Sequence, residues 1–179
     1  MREALFRLER EGLVRSAWHR GATVMTLSPQ DVAELDSLRG ALEQLAVQQV
    51  VAHASVDDLD AVEKAVARME RADDVHEMVS CDIAFHDSVY AAARHQRLLQ
   101  AWESIRSQVH LFLLTRIGLN SQDYLTHIPA EHRELVAALR ARDADAALEL
   151  FAAHRRTAFD ILDGSDQPTP ATGPPPQTP

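Results

Sequence analysis

One stretch limits this chain more than any other: residues 78–93, MVSCDIAFHDSVYAAA. Val79, Asp82, His86, Val89 and Ala93 recur at spacings of three and four, so they share one face of a helix. That face is apolar except for Asp82 and His86, which stand one turn apart and can reach a common point. Burying a carboxylate with no partner is costly. The seam must therefore receive a cation, a basic side chain or a network of donors, and other segments must deliver it.

Those segments also read as helices. Aromatic residues make up only 5% of the chain while apolar residues make up 46%, with Ala and Leu dominant, which favours helix packing over a β-sandwich. A length of 179 residues suits one domain, or one domain plus a fragment. No apolar run is long enough to span a bilayer, and the N-terminus lacks a signal-peptide layout, so no membrane partner is expected. Cys81 is the single cysteine, which excludes an intrachain disulfide and suits a reducing cytoplasm. The net charge of −9 argues against nonspecific polyanion binding by the chain as a whole. That charge is uneven: residues 1–27 hold five Arg and three Glu, a net of +2, and the remainder carries −11. A small basic head on an acidic body suggests two different partners.

In chain order, residues 1–14 predict a helix closed by Gly12. Residues 14–17 and 23–27 predict two short strands around the turn Trp18-His19-Arg20-Gly21, where Gly supplies a positive φ. A helix followed by a basic hairpin is either an ordinary helix plus hairpin or the back half of a winged helix-turn-helix. Residues 28–54 predict a long helix, N-capped by Ser28 with Pro29 in its first turn and a stripe of Val32, Leu35, Leu38, Leu42 and Leu45. Arg39 lies beside that stripe, either paired with Glu43 one turn on or aimed into a pocket to hold a carboxylate bidentately. Further helices are predicted over 55–72, 78–93 and 96–117. A short turn ending at Pro129 then precedes helices over 129–142 and 144–162. Residues 164–179, rich in Pro, Thr, Gln and Gly, are expected to be disordered.

Four polar residues fall on inward faces of these helices: Asp82, His86, His132 and His154. Each alone reads most simply as a satisfied core or surface residue. Together they form a carboxylate–imidazole set suited to zinc, and also to nickel, iron or manganese. An antiparallel bundle would bring such separated helices together.

The head, with REALFRLEREGLV followed by a basic turn and Arg20-Gly21, resembles the recognition helix and wing of the GntR family of bacterial transcription regulators. Residues 28–163 resemble the FCD ligand-binding domain of the FadR-type members. The family's D-x-x-x-H appears as Asp82 to His86, its E-H-R as Glu131-His132-Arg133 and its late histidine as His154. Its Leu-Arg-x-x-Leu-Glu appears as residues 38–43. The resemblance implies an all-α fold, an antiparallel FCD-like bundle of about six helices, preceded by a partial winged helix-turn-helix. It divides the chain into a DNA-binding segment (1–27), an effector-binding and dimerisation domain (28–163) and a tail (164–179). The metal ligands would be Asp82, His86, His132 and His154, and Arg39 would bind a small carboxylate effector. Arg2, Arg20 and Gly21 would face operator DNA. The family's two preceding helices have no counterpart before Met1, so the operator affinity of this chain is expected to be weak or absent. The implied protein is a cytoplasmic, homodimeric, metabolite-responsive transcription regulator and not an enzyme. The rival readings are a metal-dependent hydrolase built on a helical bundle and a ligand-binding or dimerisation module without DNA binding.

Overall fold

The computed structural model describes residues 2–17, 21–117 and 121–160. Among them are seven helices and one two-stranded hairpin. The order is α1 (Arg2–Arg10), β1 (Val14–Ala17), β2 (Gly21–Val24), α2 (Pro29–His53), α3 (Val56–Met69), α4 (Val75–Ala92), α5 (Gln96–Ile117), α6 (Ser121–Ala141) and α7 (Ala144–Asp160).

The head is α1 and the hairpin. Gly12 turns the chain out of α1 at φ 70, a left-handed value that glycine adopts without strain. β1 and β2 pair antiparallel with Val14 opposite Val24 and Ala17 opposite Gly21, so the second strand starts and ends earlier than the spacing suggested. Gly21 has φ 78, the positive value expected of the turn. Residues 18–20, including Trp18 and Arg20, lie outside the described residues, as does the side chain of Arg2. The head meets the body at α5, where Ser107 Oγ donates to Glu11 Oε2 at 3.0 Å. A Cβ on Gly12 would meet the Gln108 side chain at 2.8 Å, so the turn rests directly on that helix.

Helices α2 to α7 form the antiparallel bundle. α2 packs on α5 and α7, α3 on α4 and α6, α4 on α5, and α6 on α7. Ser28 and Ser55 each make a full capping box, with Asp31 and Asp58. Asp74 accepts from the His76 and Glu77 N–H groups, so α4 starts three residues before Met78. At the α6–α7 corner, Arg142 donates to the carbonyls of Val50, Val51 and Ala54 and so closes the C-terminus of α2. The interior is built on Val47, Val62, Met69, Phe85, Trp102 and Leu139, all without exposed surface; each such side chain contributes about 1.5–3 kcal/mol of burial.

Two expectations need correction. The region around Pro129 is not a turn and a new helix: α6 runs unbroken from Ser121 to Ala141 with Pro129 inside. Proline in a helix interior forfeits one hydrogen bond and costs about 3 kcal/mol. The packing of α6 on α3 and α7 offsets that cost, and Ile128 and Pro129 are both buried. The second concerns α2. Leu38 is 48% exposed and Leu42 and Leu45 are only partly buried, while Arg39 and Glu43 are 4% and 3% exposed. Val32 and Leu35 are buried as expected, but from there the inward face runs Arg39, Glu43, Ala46 and Val50, about 100° round the helix from Leu38, Leu42 and Leu45. Residues 118–120, 161–162 and the tail expected to be disordered (164–179) lie outside the described residues.

Candidate metal centre

Asp82 and His86 project from α4, His132 from α6 and His154 from α7, and all four are buried. One Asp82 oxygen and one ring nitrogen from each histidine lie within 4.8 Å of one another. Asp82 Oδ1 is 3.3 Å from His86 Nε2 and 3.3 Å from His132 Nε2. Four donors around a zinc ion at its usual bond lengths stand about 3.3 Å apart. Two of the observed spacings already have that length, and the set as a whole is somewhat more open.

The outer contacts set the ring orientations. His132 Nδ1 donates to the Ile128 carbonyl at 2.8 Å, which turns its Nε2 lone pair toward Asp82. That Nε2 is fully buried and has no hydrogen-bond partner. A lone pair and a carboxylate oxygen at 3.3 Å repel unless a proton or a cation lies between them, and with two further ring nitrogens within 4.8 Å the residues present fit a metal. His154 Nδ1 donates to Glu131 Oε2 at 2.8 Å, leaving its Nε2 free to face inward. A carbonyl for one histidine and a carboxylate for another are the outer partners that orient metal-binding imidazoles.

His86 is held differently. Arg39 Nη2 donates to its Nε2 at 2.8 Å, so the His86 proton sits on Nδ1, 3.7 Å from Glu43 Oε1. Arg39 Nε donates to Glu43 Oε1 at 2.8 Å, and Arg155 Nη1 donates to Glu43 Oε2 at 3.1 Å. Arg155 also pairs with Asp36 at 2.9 Å. Gly40 makes room for this guanidinium, because a Cβ there would stand 2.8 Å from the Arg155 Cζ. The buried Glu43 is thus gripped by two arginines, which satisfies a charge that would otherwise be costly.

These surroundings fix the protonation states. Burial, reinforced by Arg39, pushes the His86 imidazole down to about 4. Burial and the neighbouring His132 push His154 down as well. Burial alone would raise Asp82, but the adjoining His132 and then His86 hold it well below the usual carboxylate range. Burial likewise opposes ionisation of Glu43, and Arg39, His86 and Arg155 more than offset it. At neutral pH, neutral His86 and His154 therefore face an ionised Asp82, the states that metal ligation requires.

Around this centre, Asp87 locks α4 to α5. It accepts from Trp102 Nε1 at 2.8 Å and from both Nε and Nη2 of Arg106 at 2.8 and 2.7 Å. The Trp102 ring stacks on Tyr90 at 4.6 Å and lies 6.1 Å from His86. A crevice bordered by Val32, Leu35, Arg39, Val109, Phe112 and Arg155 leads toward Arg39, but its volume is only about 10 Å³, room for one water molecule.

The structure therefore brings together Asp82, His86, His132, His154 and Arg39. Gly21, expected to face DNA, is exposed in β2 of the head. The sequence alone assigned no role to Glu131 or Arg155 and gave Glu43 only as the salt-bridge partner in one of two readings of Arg39. Glu131 could have been found by asking which neighbour accepts the second ring proton of each histidine.

Residues 34–157 match the FCD domain family, and the chain accordingly belongs to the GntR-family transcriptional regulators that carry an FCD domain. It is similar to the HTH-type transcriptional regulator YdhC of Bacillus subtilis (strain 168), with 26% identity over 160 residues covering 86% of this chain and 70% of that protein. It is also similar to the HTH-type transcriptional repressor GlaR of Escherichia coli (strain K12), with 28% identity over 171 residues covering 90% of this chain and 78% of that one. Its fold matches the solved structure of E. coli McbR/YncC at a TM-score of 0.78 and 20% identity, covering 92% of this chain and 84% of that chain. The relatives carry the names of transcriptional regulators, not of enzymes. Among the described residues, no helix is long and apolar enough to cross a membrane.

Proposed function

We propose that this regulator senses a metabolite: its helical domain binds a divalent metal through Asp82, His86, His132 and His154, and a small organic acid beside it. The observation that carries this reading is the buried His132 Nε2 facing Asp82 Oδ1 at 3.3 Å, with Nδ1 already committed to Ile128. Four protein ligands leave room for further ligands on an ion that accepts five or six, and such an ion attracts a carboxylate as a Lewis acid. Zinc fits the nitrogen-rich set and would take the acid by expanding to five ligands; nickel, iron and manganese are the alternatives.

Arg39 supplies the second contact to the acid. Its guanidinium is the buried cation nearest His86, it borders the crevice, and its planar fork suits a carboxylate. Residues 28–163 serve as the sensing and dimerisation unit and residues 1–27 as the DNA-binding segment. Arg2, Arg20 and Gly21 meet operator DNA, the arginines through phosphates or bases and Gly21 by close approach of the wing backbone. A homodimer would place two heads on a palindromic operator. The acid alters operator affinity only through a difference in its affinity for two states of the dimer.

Isothermal titration of a panel of small carboxylic acids, on zinc-loaded and chelator-stripped protein, tests the sensor. At least one acid should bind the loaded form at least tenfold more tightly. Equal affinity in both forms removes the metal from the account.

A further inference from the structure

Building on that metal assignment, we infer that Arg39 is a tethered cation that competes with a metal for the His86 lone pair and must leave His86 before a metal can enter. His86 Nε2 has one lone pair. Arg39 Nη2 occupies it at 2.8 Å, while the same nitrogen stands 3.3 Å from Asp82 Oδ1, the spacing expected of two ligands on one ion. A single lone pair cannot serve a guanidinium and a metal together. Arg39 and metal therefore exclude each other at His86.

The anchoring of Arg39 suits a movable plug. Its Nε stays with Glu43, and Glu43 keeps Arg155 on its other oxygen whether or not Arg39 moves. The crevice beside Arg39 has room for only one water while the plug is in place, well below the volume of small-molecule sites. Leaving His86 thus has two effects: it vacates the metal-binding lone pair, and it frees Nη2 for the acid assigned to this residue above. Metal and acid then favour each other's binding, because each draws Arg39 away from the closed position, and by linkage the effect is reciprocal.

The experiment is zinc binding to the metal-stripped full chain, measured by competition with a chromophoric chelator at fixed pH. Removing a charge-assisted hydrogen bond from competition is worth roughly 10- to 100-fold in a binding constant. R39M should therefore bind zinc about 10- to 100-fold more tightly than the unsubstituted protein. R155M removes the same charge from the other side of Glu43 without freeing His86, and should stay within about threefold of it. R39Q, too short to span from α2 to His86, repeats the test in a polar side chain if R39M does not fold. Zinc affinity in R39M or R39Q no better than in the unsubstituted protein overturns the plug, and so does an equal gain in R155M, which would be charge repulsion alone. Failure of the metal assignment looks different: neither the unsubstituted protein nor R39M binds zinc, and D82A changes nothing.

Discussion

Removing the Glu131 carboxylate should weaken zinc binding while leaving the bundle folded. His154 Nδ1 donates to Glu131 Oε2 at 2.8 Å, and that hydrogen bond keeps the proton off Nε2, the nitrogen that faces the centre. His154 hydrogen bonding holds Glu131 itself below its ordinary pKa, so the contact is between an ionised carboxylate and an N–H donor. Outer partners of this kind are worth about 10- to 100-fold in metal affinity, or about 1.4–2.8 kcal/mol. E131A should fall in that range. E131Q keeps an acceptor oxygen but not the charge and should lose less, about three- to tenfold by the same reasoning. The Glu131 side chain is 34% exposed against 6% for His154, so water can take over as acceptor in the metal-free variant. Its stability should therefore change by less than about 1 kcal/mol, as for a partly exposed pair. Chelator competition gives the affinity, and urea unfolding of stripped protein gives the stability. E131A binding zinc as tightly as the unsubstituted protein, while H132A does not bind it, would refute the role given to Glu131.

Free zinc at 100 times its dissociation constant should stabilise the chain by about 2.7 kcal/mol and raise Tm by roughly 5–10 °C, with EDTA reversing the shift and D82A showing none in differential scanning fluorimetry. Acid should destabilise the metal-free protein before any carboxylate titrates. His86 sits at about 4 when folded against 6.5 in the open chain, so the unfolded state binds the extra proton between those values. Stability should fall by about 3 kcal/mol as pH drops through that window, with His154 acting in the same direction, and a flat urea midpoint between pH 7 and pH 5 would contradict this. The lowered Asp82 and Glu43 contribute above their unfolded values near 4 and lose that contribution only at lower pH. D87A strips both Trp102 and Arg106 of their acceptor and should cost about 1–3 kcal/mol, read from the same urea titrations.

Regular spacing made most of the bundle legible. Along α5, Leu98, Trp102, Ile105, Val109, Phe112 and Leu113 point inward as the 3.6-residue period requires, and the helix has the limits its sequence suggested. The errors arose where a local preference met a distant contact. Pro129 reads as a break because proline lacks an N–H, yet nothing local reveals that α3 and α7 will pack along α6. Arg140 on that helix reaches both Asp60 and Glu63 of α3, a tie made across some eighty residues of chain. The convergence of Asp82, His86, His132 and His154 was readable because each interrupts an otherwise apolar face. Arg39 and Glu43 were harder to place, since an arginine and a glutamate one turn apart look the same on a solvated helix as in a core.

What separates those two cases is the partner that arrives from elsewhere. Arg39 is buried because His86 from α4 accepts its Nη2, and Glu43 because Arg155 from α7 reaches its second oxygen. Helices α2, α4, α6 and α7 each give up apolar positions at this one level of the bundle. None of those polar groups could be buried alone without a penalty of several kcal/mol. Removing one partner strands the rest: an uncompensated Glu43 or Asp82 would be far costlier than the cavity left by a missing leucine. The layer is therefore held by charge and hydrogen bonding and not by shape, and substitutions in it should shift ligand affinity and pH response more than packing alone predicts.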